Sequence, residues 1–428
     1  MKGWRGLAVG AAALAVTVAG CGTSPSGTTA AESSGPKTLT VWLMDGSAPT
    51  TLTDALHKEF QDSNKDVTVK YEVQKWGGIQ EKLTTALTSN TPPDVIELGN
   101  TQTPKFASEG TLLDLTGDAA NLNGGEWLGG LKDSLTWEDK QYGLPFYASN
   151  RTVIYRTDLF EAAGITAPPT SNDEWLAAIE KLKTANASNP DFQALYLPGQ
   201  SWYTLLSFIW DQGGDVAKKD GDKFVGALDT PQAKAGVDFY KKLVDASGTK
   251  APKDTDEAKP QQMEVFGTGN VAMMIGLPWE LGGAVKANPD LEKKTSAFPV
   301  PSKTAGKAAP VFLGGSNLAI PAGSKNVDLA KSYLKLLSTK KYQDQLGAAG
   351  TVPGTSKDTA SLASNPVGKA LAASSANGKV TPATPKWAAV EAGQNPLKDM
   401  LTAYLTGAKS LDQATADANT ALNALLGG

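Results

Sequence analysis

The sequence predicts an α/β protein of two lobes, each a sheet flanked by helices. Three observations carry that prediction. The stretch from Lys37 to Gly428 is too long for one ordinary hydrophobic core. Its first part alternates strand and helix signals, the pattern of a parallel sheet with helices on its faces. At "LPFYASN", Leu144 to Asn150, that pattern stops and another begins. Aliphatic residues and ten tryptophans among 428 residues mark the stretch as a folded globule.

The elements follow in order. "KTLTVWLM" alternates β-branched and apolar residues, then ends at "DGSAPTT", a turn that caps a helix through "LTDALHKEF". "DVTVKYEV" alternates again, and "GIQEKLTTALTS" is apolar at helical spacing. "PPDVIEL" is a short apolar strand entered through two prolines. Ligands of such sheets sit beyond the carboxyl ends of the strands. Those ends carry Asp45 with Gly46, Trp76 with Gly77-Gly78, and Asn100-Thr101-Gln102. "LPFYASN" reads as a crossing between lobes and feeds the strand "RTVIYR". A helix follows, then a second one opened by the capping box Ser171-Asn172-Asp173-Glu174. "WYTLLSFIWDQ" and "TPQAKAGVDFYKKLVDA" are helical, "APVFLGGSNLAIPAGS" returns to strand, and the C-terminal stretch is almost wholly helical. No internal repeat of solenoid period occurs.

The N-terminus has a different character. "MKGWR" is basic, and "GLAVGAAALAVTVAG" is an uncharged apolar run too short for a comfortable membrane span. The sequence therefore predicts a secretory signal over residues 1–20. Val18-Ala19-Gly20-Cys21 resembles the bacterial lipobox, in which the cysteine is lipidated and becomes the first mature residue. Residues 21–36 then form a Gly-, Ser- and Thr-rich tether; its coil from Gly22 to Pro36 spans roughly 20 Å.

Composition narrows the chemistry. With 44 acidic and 40 basic residues, a formal net charge of −4 and no basic run, nucleic-acid binding is excluded. One histidine, His57, and one cysteine leave nothing for a histidine triad, a thiolate zinc site or an iron–sulfur cluster. His57 stands at a helical position among charged neighbours and reads as a surface residue. There is no P-loop, dinucleotide fingerprint or nucleophile elbow. "DTDEA", Asp254 to Ala258, lacks the downstream glycine and glutamate of a calcium loop and reads as a solvated loop. The chain is thus read as a binding protein without metal or cofactor. A glycosidase pair of carboxylates is the alternative from another class.

Tryptophans outside regular core periodicity give a positive signal. Trp76, Trp202 with Tyr203, Trp279 and Trp387 fall at turns or element starts, whereas Trp42, Trp175 and Trp210 fall on strand or helix faces. A sugar ring has an apolar C–H face edged with hydroxyls, so its site needs flat aromatic platforms with amides and carboxylates at the rim. Asp45, Asn100, Gln102, Asn150 and Glu280 supply those groups.

On these blocks, together with "TPPDVIELGNTQTPKFASEGTLLDLT" and "GNVAMMIGLPWELGG", the chain resembles the solute-binding lipoproteins of carbohydrate ABC importers. That class includes maltose-binding protein. The likeness is greatest to actinobacterial binding proteins for N,N′-diacetylchitobiose, while cellobiose-, maltose- and other disaccharide-binding members share the scaffold. The resemblance implies a type II periplasmic-binding-protein fold whose lobes close over the ligand by a hinge. It implies a first lobe of residues 37–146 plus about 300–348, and a second of 147–299 plus about 349–428. It carries site roles onto Asp45, Asn100, Thr101, Gln102, Tyr147, Asn150, Arg151, Trp202, Tyr203, Trp279 and Trp387, and Trp76 and Glu280 join them by residue type and position. The implied partners are an oligosaccharide, the membrane permease subunits of an importer, and the lipid bilayer through Cys21. A monomer on the outer face of the cell membrane is expected.

Overall fold

Alternation in the first strand decides how the first layer is built. In a computed structural model of the chain, which describes residues 37–221, 223–354 and 357–427, "KTLTVWLM" forms a strand over Lys37–Met44. Leu39, Val41 and Leu43 face one side and pack with Leu52, Leu56 and Phe60 of the helix Thr50–Ser63. Trp42 and Met44 face the other side and meet Ile79 and Leu83 of the helix Ile79–Leu87. The expected signal peptide, lipidated Cys21 and tether lie outside the described residues.

Six strands make this sheet, in the order Val352–Pro353, Leu144–Ser149, Gly314–Ala319, Val95–Gly99, Lys37–Met44 and Val67–Gln74. Lys37–Met44 runs parallel to both of its neighbours. Gly314–Ala319 is inserted antiparallel between Val95–Gly99 and Leu144–Ser149. The sheet expected to be parallel is therefore mixed, because the returning strand enters it from the opposite direction.

The crossing is short. The chain leaves the six-stranded sheet at Ser149, and by Thr152 it is in a second sheet of three antiparallel strands. There Thr152–Arg156 lies between Met273–Gly276 and Thr295–Phe298. Helices Asn172–Ala185, Trp202–Asp211 and Pro231–Ser247 pack on it. Pro396–Leu405 and Leu411–Leu426 join the same core. After Thr295–Phe298, residues Val300, Ala309, Val311 and Phe312 stay in this second core before the chain returns to the first sheet at Gly314.

Local signals behaved as their chemistry requires, with two adjustments. Ser171 Oγ accepts the Glu174 N–H at 3.2 Å. The Glu174 carboxylate reaches one residue beyond the cap, to the Thr170 N–H at 2.7 Å and its hydroxyl at 2.8 Å. His57, expected at the surface, is half-buried: its Nε2 lies 3.0 Å from the Tyr333 hydroxyl and its ring packs on Tyr71. Burial lowers its pKa. Asp256 of the solvated "DTDEA" loop is ion-paired with Lys398, and Glu257 with Arg151. Among the described residues no helix is long and apolar enough to cross a membrane.

Candidate ligand-binding cleft

Where the chain crosses between the sheets, a cleft of about 730 Å³ opens, inside the usual range of about 300–1,000 Å³ for small-molecule sites. Strand ends of the first sheet supply Asp45, Gly46, Trp76, Tyr147 and Ser149. The second sheet and its helices supply Arg151, Tyr203, Trp279 and Phe312. Leu277, Pro278, the double glycine 314–315 and the turn 349–351 complete the lining.

Two glycines are there for backbone reasons. Gly46 has φ +79°, a left-handed conformation that lets the strand turn sharply after Asp45. A Cβ on Gly315 would stand 2.1 Å from the Tyr147 carbonyl oxygen, so only glycine admits this close strand pairing.

The two free aromatic faces are Trp76, 41% exposed, and Trp279, 56% exposed. Trp76 sits in the turn before Gly78, whose φ of +74° starts the next helix. Trp279 opens the helix Pro278–Ala287 directly after the strand Met273–Gly276, so the Gly-rich turn expected there is helical. Tyr203 differs. Its ring centroid is 3.8 Å from that of Trp202 and 4.6 Å from that of Phe312, at 30° and 14°. Two rings cannot share one face of a third at such spacings, so Tyr203 is sandwiched and offers the cleft its edge. The Arg151 guanidinium lies 5.0 Å from its centroid and is ion-paired with Glu257.

Behind each wall sits a buried carboxyl group. Glu97 accepts the Met44 N–H at 2.7 Å and the hydroxyls of Ser47 and Ser316, each at 2.6 Å. Burial pushes its pKa up to about 7, against those hydrogen bonds. Tyr147, 3.4 Å from Ser47 Oγ, has its phenol pushed up to about 12, mainly by burial and then by the Glu97 charge. Glu391 accepts from Thr101 Oγ1 at 2.7 Å, from Trp387 Nε1 at 3.0 Å and from the Tyr203 hydroxyl. Burial raises its pKa as well.

Of the sequence-predicted residues, Asp45, Trp76, Tyr147, Arg151, Tyr203 and Trp279 come together on the cleft wall. The others do not line it. Trp202 and Trp387 are core residues, 4% and 0% exposed, because each starts a helix that packs on the second core. Glu280 is buried in the cap of its own helix, where it accepts the Leu277 N–H and the Gln262 amide, both at 2.8 Å. Asn100 donates to the Leu313 carbonyl at 2.7 Å and Asn150 is fully buried. Thr101 is held by Glu391, and Gln102 heads the helix Thr103–Ser108. Sequence reasoning missed Phe312, Ser149 and the turn 349–351. The double glycine inside "FLGGSN" was the available signal for the first; nothing local marks a helix end that reaches the cleft only through packing.

The family model for bacterial extracellular solute-binding proteins matches residues 45–344. The chain belongs to that family. This solute-binding protein is 43% identical over 411 residues to the diacetylchitobiose binding protein DasA of Streptomyces coelicolor, with 95% of each chain covered. It is 24% identical to the mannitol-binding protein of Pseudomonas aeruginosa, over 77% of this chain and 76% of that one. Among solved structures, the GacH receptor of Streptomyces glaucescens aligns with a TM-score of 0.75 and 25% identity, covering 91% and 98% of the two chains. The sugar-binding protein MalE of Xanthomonas citri aligns with a TM-score of 0.80 and 22% identity, over 91% and 97%. The architecture is thus the two-lobed, type II periplasmic-binding-protein fold.

Proposed function

We propose that this solute-binding protein captures an oligosaccharide outside the cell membrane and delivers it to the permease of an ABC importer, with N,N′-diacetylchitobiose the first candidate ligand. The observation that carries this reading is the 43% identity to a diacetylchitobiose binding protein over 95% of both chains. The cleft chemistry supports it. Trp76 and Trp279 present free faces for sugar rings, while Asp45 and Arg151 stand at the rim to exchange hydrogen bonds with hydroxyls or acetamido groups. Asp45 is the one carboxylate on the cleft wall, whereas hydrolysis by paired acids needs two. Binding rather than catalysis is therefore the favoured activity.

In this reading the contact residues are Asp45, Trp76, Tyr147, Arg151, Tyr203 and Trp279. The lobes meet where the chain passes between the two cores, at 150–151, at 312–314 and again between Pro353 and Trp387, and closure about those crossings holds the ligand. Lipidation at Cys21 keeps a monomer at the outer face of the membrane. A thermal-shift panel with chitobiose, N-acetylglucosamine, cellobiose and maltose tests the ligand. The largest shift is expected with chitobiose; no shift with any of the four would sink the sugar reading. For the anchor, Cys21→Ser should move the protein out of the membrane fraction.

A further inference from the structure

The three hydrogen bonds to Glu97 are divided unequally between its oxygens. The Met44 N–H reaches Oε2 at 2.7 Å, while the hydroxyls of Ser47 and Ser316 both reach Oε1, each at 2.6 Å. An N–H can only donate, so Oε2 remains an acceptor in either protonation state. A proton taken up by this carboxyl therefore goes to Oε1, the oxygen that faces two hydroxyls. Either hydroxyl can turn to meet it, because a serine O–H both donates and accepts. Both serines lead on to Tyr147. Ser47 Oγ lies 3.4 Å from the Tyr147 hydroxyl, where either atom can be the donor, and Ser316 stands opposite Tyr147 in the strand pairing. Tyr147 lines the cleft, whereas Glu97 is fully buried behind it.

Resting on the sugar reading above, we propose that Glu97 is a positioning residue for the cleft, whose protonation state sets whether the Tyr147 hydroxyl offers the ligand a lone pair or a hydrogen. With a carboxylate, both serine hydroxyls point at Oε1. Their lone pairs then take the Tyr147 O–H, and the phenol oxygen turns a lone pair to the ligand. With a proton on Oε1, that O–H donates to one serine, the serine hydrogen swings to the Tyr147 oxygen, and the phenol hydrogen is released to the cleft. The proton comes from solvent; no covalent bond of Ser or Tyr changes, and each hydroxyl only rotates. An acetamido group feels the difference, because its N–H can only donate and its carbonyl can only accept. Of the charged side chains on the wall, the Asp45 carboxylate accepts and the Arg151 guanidinium is already paired with Glu257. A further donor is what the ligand carbonyl needs, so the protonated form binds it more tightly. Burial brings the Glu97 carboxyl to about 7, which puts the change near neutrality. The titratable groups around it are Tyr147 and Tyr71, whose phenols are pushed up by burial and then by the Glu97 charge, while Asp45, Asp54 and His57 act on Tyr71. Among the described residues no cation acts on Glu97 itself.

Calorimetric titration of the full chain with N,N′-diacetylchitobiose between pH 6.5 and 8.5 reads the effect, in a window above the lowered pKa of His57. The unmodified protein should bind about threefold or more tighter at the low end than at the high end, the worth of one hydrogen bond. Buffers of different ionisation enthalpy should show proton uptake on binding. Glu97→Gln puts an amide N–H in place of Oε1, a permanent donor to the serines. Its affinity at pH 8.5 should reach at least the level of the unmodified protein at pH 6.5 and stay flat, which also separates Glu97 from the raised carboxyls of Glu280 and Glu391. A carboxyl with a structural role only would weaken binding at every pH, and that result overturns the proposal. Tyr147→Phe keeps Glu97 and its three donors and should bind more weakly with no pH response, which decides the matter even where the Gln variant does not fold. A pH response that survives in Tyr147→Phe or in folded Glu97→Gln overturns the proposal. A flat profile in the unmodified protein removes this proposal alone, whereas no binding at any pH removes the sugar reading together with it.

Discussion

The two walls of the cleft reach similar ends by different construction. The first-sheet wall is a row of strand ends, with Asp45 and Trp76 in the turns and the Glu97 hydrogen-bond cluster behind them. The second wall holds a ring column, Trp202–Tyr203–Phe312, backed by Glu391, with the exposed Trp279 on the same wall. Glu97 ties neighbouring strands of one sheet together. Glu391, by contrast, joins Thr101, beyond the carboxyl end of the interior strand Val95–Gly99, to Trp387 and Tyr203 on the second core. A buried carboxyl thus stiffens one wall and links the two. The comparison also separates tryptophans: Trp76 in its turn and Trp279 at the start of Pro278–Ala287 stay open, whereas Trp202 and Trp387, which start helices packed into the second core, are covered.

The strongest way to break that separation is Trp387→Ala. A fully buried indole in the second core is lost, and Trp387 Nε1 no longer satisfies Glu391. Stability should fall by about 3–5 kcal/mol in urea unfolding. An unchanged midpoint would show that Trp387 is not a core residue.

A somewhat smaller effect concerns the first wall. Burial raises the Glu97 carboxyl from an ordinary 4.5 to about 7, so the folded state holds this proton more tightly than the unfolded chain. Stability from this group is therefore fully present below about pH 4.5 and is lost as pH rises through about 7, by about 3 kcal/mol at most. Glu280 and Glu391 are shifted in the same direction. Denaturation curves from pH 4 upward should flatten in Glu97→Gln relative to the unmodified protein. Parallel pH profiles for the two would mean that the carboxyl titrates normally.

The smallest of the three touches binding alone. Trp279→Ala removes an exposed ring, so the unliganded melting temperature should hardly move, while sugar affinity should drop by about 2 kcal/mol, roughly 30-fold. Undiminished affinity in calorimetry would take Trp279 out of the site and leave Trp76 as the sole free platform.

Much of this molecule was legible from local pattern. The strand "KTLTVWLM" and the helices after it follow from alternation and spacing, and Asp45 and Trp76 from the rule that parallel strands present ligand residues at their carboxyl ends. Asn100 and Asn150 were equally good candidates by residue type. Yet the first is drawn to the Leu313 carbonyl and the second is buried in the crossing. An amide reads alike in sequence whether it serves a ligand or a backbone carbonyl.

What the sequence by itself determined is therefore the local part: the strands and helices, the capping at Ser171 and the turns that need glycine. Those depend on backbone sterics and side-chain periodicity over a few residues. Tertiary structure alone decided which tryptophans remain open and that Tyr203 is sandwiched by a ring 109 positions away, Phe312. It also decided that Glu391 joins the two walls. Each of these depends on which distant surface removes a side chain from water, and a residue's neighbours in sequence do not carry that information.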